Sequence, residues 1–219
     1  MFPDFAKTRL ISWDALHKKQ DILAFSQFIN KAYPEYKTFV QGIICHNNLD
    51  YTSHTEYQNA KPGYAYSKIT PELFGLVKQA LKIDDASTKS LSHNFIESGV
   101  DYYLLNETTD TVKLIVNAAR EIDMTKLSKM LSVYFKKEEN EMHAGVKGFF
   151  SFVSGYDLRE LDQWVALFIS LGESFFGFNA DEVYVKKALE LSLKLTRDTW
   201  REYLETSISS FDNAIKDCI

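Results

Sequence analysis

Chain breakers are scarce in this sequence, with nine glycines and four prolines among 219 residues. So few turn-formers argue against many short strands joined by tight turns and favour long helices. Only two cysteines are present, Cys45 and Cys218, too few for a disulfide framework or a four-cysteine zinc site. Cys45 reads as a buried thiol on an apolar run. Basic residues gather in no block, and acidic residues outnumber them 30 to 25. An extended nucleic-acid surface is therefore not expected. No apolar run approaches the roughly 18 residues that a membrane-crossing helix needs. The opening MFPDFAKTRL lacks the charged-then-apolar layout of a signal peptide, so the cytoplasm is the expected compartment.

What is present is ordinary globular composition, 45% hydrophobic and 25% charged, which argues against disorder. Helical spacing of apolar residues begins at Asp21 and runs to Pro34, after about twenty irregular residues. It resumes over 36–57 and, after a loop at 58–68, over 70–84. Thr70 and Pro71 form a cap followed by a first-turn proline. Further helices are expected over 87–105, from a cap at Thr108 or Thr109 through Val112, Ile115, Val116 and Ala119, and over 124–135. The charged stretch KKEENEMHAG interrupts that last helix or joins it to the next. Two long patterns follow over 158–176 and 181–211. No strand-period alternation persists. The expectation is an all-α, single-domain helical bundle of eight or nine helices over 1–219, with no internal repeat and no low-complexity linker.

Two triplets stand out on this scaffold: His46, Asp50 and His54, then His93, Glu97 and Asp101. Both are spaced four and four. On an α-helix each four-residue step advances about 6 Å and turns about 40° beyond a full revolution. Each triplet therefore forms a stripe, and two such helices face to face would gather three imidazoles and three carboxylates. Neutral imidazole and carboxylate suit zinc first, with iron and manganese also compatible. A stripe of about 12 Å is long for one ion. Two ions about 3.5–4 Å apart, sharing a carboxylate and a water, fit it better and suit phosphoester hydrolysis. Asp50 is the expected bridging carboxylate, and Asp101 or Asp4 a terminal ligand or general base. The bland reading is a solvated helical face. Against it, apolar Ile43, Ile44, Phe95 and Ile96 adjoin the triplets, and unpaired carboxylates near a core are costly. Asp4 and His17 are further candidate ligands from the N-terminal segment, although such isolated residues often serve as caps or surface groups. His143 lies in a charged stretch and reads as solvated. No GxSxG elbow, P-loop or adjacent His-Asp doublet is present. The aromatic residues between 149 and 178 read as core.

At these residues the sequence resembles the zinc-dependent phospholipase C family and the related single-strand-specific zinc nucleases. GIICHNNLDYTSH supplies Gly42, His46, Asp50 and His54 in a G-x-x-x-H-x-x-x-D pattern with a following histidine. HNFIESGVD supplies His93 and Glu97 in an H-x-x-x-E pattern, with Asp101 one turn on. The match covers only these two segments. It implies an all-α fold, a zinc cluster in a cleft and water-driven cleavage of phosphodiesters. The chain departs from the family in its short Asp50-to-His54 spacing. It also lacks the processing signal that gives secreted members an N-terminal ligand.

The expected function is a metal-dependent phosphoester hydrolase with one or two metals and a small phosphoester substrate. The alternative is a non-catalytic helical metal-binding or interaction protein. Oligomeric state is not encoded in any motif.

Overall fold

The computed structural model describes residues 4, 8, 10–12, 14–108, 110, 113–114, 117–118 and 121–216, the side chains of 153, 175–176 and 210–216 excepted. Among these residues the fold is all-α, with eleven α-helices and no strand. In chain order they are α1 (Asp14–His17), α2 (Lys19–Ala32), α3 (Lys37–His54), α4 (Tyr64–Ser67), α5 (Pro71–Leu81), α6 (Asp85–Glu107), α7 (Met124–Phe135), α8 (Glu139–Val153), α9 (Leu161–Leu171), α10 (Glu182–Thr196) and α11 (Trp200–Lys216). The helix expected after Thr109, with Val112, Ile115, Val116 and Ala119, lies outside the described residues, as does Cys218. No described helix is long and apolar enough to cross a membrane.

Local chemistry sets most boundaries. Thr70 accepts the Leu73 N–H and Pro71 opens α5. Asp84 does the same for Ser87, Asp123 for Lys126, and Asp181 for Val183 and Tyr184. Each cap satisfies an amide that the helix itself cannot. Helix α6 ends where the Thr108 hydroxyl turns back to the Leu104 carbonyl at 2.6 Å. The charged stretch separates two helices: α7 stops at Lys136 in the left-handed region (φ 54°), and Glu139 and Glu141 lie in the first turn of α8. That placement is favourable at the positive end of a helix dipole. His143 falls in α8 and is half-buried. The pattern at 181–211 is two helices with a turn at 197–199. Ser192 and Thr196 hydrogen-bond back to the Ala188 and Ser192 carbonyls, a habit that bends helices. The short helices α1 and α4 carry too few residues to show a period.

The chain divides into two compact units. The first comprises Met1–Asp50, Val116–Gly155 and Ser207–Ile219. Its core joins Phe25 and Ile29 of α2, Ile43 of α3, Leu127 and Leu131 of α7, and Val146 of α8. Phe25 is fully buried, with its ring centroid 4.7 Å from that of Tyr134. The second comprises Tyr51–Ile115 and Tyr156–Thr206. Its core joins Leu73 and Val77 of α5, Phe95 and Ile96 of α6, and Val185 and Ala188 of α10. Burying each large side chain is worth about 1.5–3 kcal/mol, which offsets the entropy of ordering these helices.

Within the second unit, α6 and α10 approach closely at Gly99. A Cβ there would lie 2.7 Å from the Thr196 hydroxyl and 3.0 Å from the Ser192 carbonyl. Alanine gains about 1 kcal/mol of helix propensity over glycine. The clash with a hydroxyl already bonded to Ser192 costs more. Gly99→Ala is therefore expected to destabilise the chain by about 1–3 kcal/mol in urea denaturation; an unchanged midpoint would contradict the contact.

Alkaline stability follows from the same unit. Burial pushes the Tyr64 phenol from its ordinary 10 up to about 12, and Tyr203 is raised by burial too. The folded state thus keeps protons that the unfolded chain releases near its ordinary value. Stability from these phenols is fully present below pH 10 and falls as pH rises toward 12. Denaturation midpoints compared at about pH 9 and about pH 11 should show this fall, and Tyr64→Phe should reduce it.

Candidate metal centres

The first unit assembles a group from α1 and α3. His17 is the last residue of α1. The Asn47 side chain holds that turn in place, donating to the Leu16 carbonyl at 2.8 Å and to the Ile43 carbonyl of its own helix at 2.9 Å. The His17 and His46 rings then meet edge-on, with centroids 6.0 Å apart. His46 Nε2 lies 3.9 Å from Asp50 Oδ1 and 3.9 Å from Asp4 Oδ2. One ligand atom each from His17, His46 and Asp50 fall within 4.8 Å of one another. Metal–ligand bonds of about 2.0–2.1 Å in a tetrahedral site put ligand atoms about 3.3 Å apart. The observed spacing needs only a small contraction around an ion.

The second unit assembles another group from the end of α3 and the middle of α6. His54 Nε2 lies 2.8 Å from Glu97 Oε1, and the neighbouring Ser53 hydroxyl donates to the same oxygen. His93 Nε2 is 4.0 Å from the other oxygen, Oε2. The His54 and His93 rings are 4.4 Å apart, and Tyr66 flanks them at 5.8 and 5.0 Å. Again one ligand atom from each of His54, His93 and Glu97 fall within 4.8 Å of one another. Gly63 seats the loop carrying Tyr66 against this helix end: a Cβ there would lie 2.5 Å from the Ser53 carbonyl oxygen. Burial pushes the Glu97 carboxyl up. The hydrogen bond from His54, the charges of His93 and His54, and the Ser53 hydroxyl outweigh that and hold it below its ordinary value. A carboxylate only accepts hydrogen bonds, so the proton in the 2.8 Å contact sits on His54 Nε2.

The eight sequence candidates are thus regrouped. His46 and Asp50 join His17 and Asp4 in the first unit. His54 joins His93 and Glu97 in the second. Asp101 is exposed and belongs to neither group, although its charge is felt at the Tyr203 phenol. Asn47, Ser53, Gly63 and Tyr66 were not marked by spacing. Asn47 and Ser53 each adjoin a histidine in sequence but act through partners 31 and 44 residues away.

Both groups offer two imidazoles and a carboxylate. Three protein ligands leave a position open for water, as in hydrolytic zinc sites, and the same set suits non-haem iron. Cys45 is half-buried and its thiol is raised by burial, which disfavours it as a thiolate ligand. No family model, curated protein or solved structure matches the chain.

Asn47→Ala removes both hydrogen bonds that hold His17 beside His46. The expected result is a loss of about 1–2 kcal/mol of stability and about tenfold weaker zinc binding at the first group. Calorimetric titration of His93→Ala protein, which retains only that group intact, measures the change. Unaltered affinity would separate Asn47 from the site.

Proposed function

We propose that this chain is a divalent-metal-dependent phosphoester hydrolase, with zinc the best-fitting ion. The observation that carries the reading is the convergence, twice in one chain, of two imidazoles and a carboxylate within ligand distance. The resemblance of segments 42–54 and 93–101 to the zinc-dependent phospholipase C and zinc nuclease family supports the same reading. The resemblance is carried by His46, Asp50, His54, His93 and Glu97, and each of these belongs to one of the two groups.

His17, His46 and Asp50 would hold one ion, and His54, His93 and Glu97 another. A bound divalent ion supplies Lewis acidity toward a phosphoryl oxygen and makes water acidic enough to attack at neutral pH. The chain's own contribution is orientation and proton handling. Asp4, beside His46 and outside the three-residue group, is the carboxylate placed to take a proton from attacking water. Glu97 stays ionised, which favours cation binding. Tyr66 shields one side of the His54–His93 pair.

A second reading has its own support. Ser53 and His54 both hydrogen-bond Glu97 Oε1, as members of a structural polar network do. This favours a helical metal-binding or interaction protein without catalysis.

The deciding experiment loads the purified chain with zinc or manganese and follows hydrolysis of bis-p-nitrophenyl phosphate. Activity should require metal, vanish with chelator and fall at least about a hundredfold in His46→Ala or His93→Ala. A loaded chain inactive on phosphodiesters and monoesters alike would leave the second reading.

A further inference from the structure

In the second unit a buried hydroxyl supports the candidate metal group. Ser53 is 2% exposed. It donates to Glu97 Oε1, which His54 Nε2 also reaches at 2.8 Å. A carboxylate has no proton to give, so the single Ser53 proton is spent on Glu97. Tyr203 of α11 is 4% exposed and stacks on Tyr64, with centroids 4.1 Å apart and planes 13° from parallel.

We propose that Ser53 is a positioning residue that makes Glu97 a one-oxygen ligand. This inference rests on reading the His54, His93 and Glu97 group as a metal site. Oε1 is held by Ser53, leaving Oε2, the oxygen on the His93 side, to face an ion. To offer its Nε2 lone pair to an ion, the neutral His54 imidazole would carry its single proton on Nδ1 instead; the Ser53 hydrogen bond to Glu97 would stay. Carboxylate ligands held by such outer hydrogen bonds keep their angle, and losing the support typically costs about 10–100-fold in metal affinity. Without Ser53, both oxygens of Glu97 are free to chelate, which changes the coordination geometry as well as the strength.

The test uses the full chain in a His46→Ala background, so that the His54 group is the only complete one, with Co²⁺ as a visible probe. The parent should bind Co²⁺, and adding His93→Ala should abolish the spectrum. Ser53→Ala should weaken binding about 10–100-fold and alter the position and intensity of the visible band as Glu97 becomes bidentate. Ser53→Thr, which keeps the hydroxyl, should restore both. Circular dichroism in chelator establishes that each variant is folded. A parent that binds Co²⁺ while Ser53→Ala leaves affinity and band unchanged overturns the positioning role alone. A parent that binds no Co²⁺ overturns the metal reading and the role with it.

Discussion

A carboxylate set among packed helices dictates much of the second unit. Glu97 lies on α6 between Phe95, Ile96 and Val100, all buried. An isolated charge there would cost several kcal/mol. It is held by a hydroxyl, by one imidazole in direct contact and by another close by. Those partners come from the end of α3 and from α6 itself, so both helices must keep their register for the charge to be tolerated. Gly63 allows the following loop to close on that helix end, and Gly99 allows α10 to close on α6. Removing either glycine perturbs the frame that makes the ionised group affordable.

Small hydroxyl residues solve a related problem. Helix α6 has Thr88, Ser92, Ser98 and Gly99 at buried positions, where larger side chains would hold neighbours apart. The hydroxyls of Thr88, Ser92 and Ser98 each return to the carbonyl four residues earlier, so none of these three hydroxyls needs a partner helix to satisfy it. Close approach and polar satisfaction are achieved together. This is why α6 shows no clean apolar stripe in sequence and yet is a central element of its unit.

The helices were legible because their causes are local. Thr70–Pro71 marks a cap whatever the tertiary context, and the bounds of α7 follow from the apolar spacing of Leu127, Met130 and Leu131. The pairing of the candidate ligands was not legible. Each four-residue step turns about 40° past a full revolution, so the third member of a triplet points about 80° from the first. That drift is why His54 parts from His46 and Asp101 from His93. A spacing rule within one helix cannot say which neighbour fills the gap. His17 does so in one case, through a single-turn helix with no visible period, and the Ser53 and Asn47 contacts depend on distant segments.

The single turn of α1 has a kinetic consequence. A four-residue helix has almost no stability of its own, so His17 stays in place through Asn47 and the burial of Leu16. Such a turn opens far more often than its unit unfolds, and each opening would withdraw His17 while His46 and Asp50 remain on a long helix. An ion in that group would load and leave through this hinge. Its residence time would follow the lifetime of one hydrogen-bonded turn, whereas the His54 group, with His54, His93 and Glu97 all on long helices, has no equivalent door.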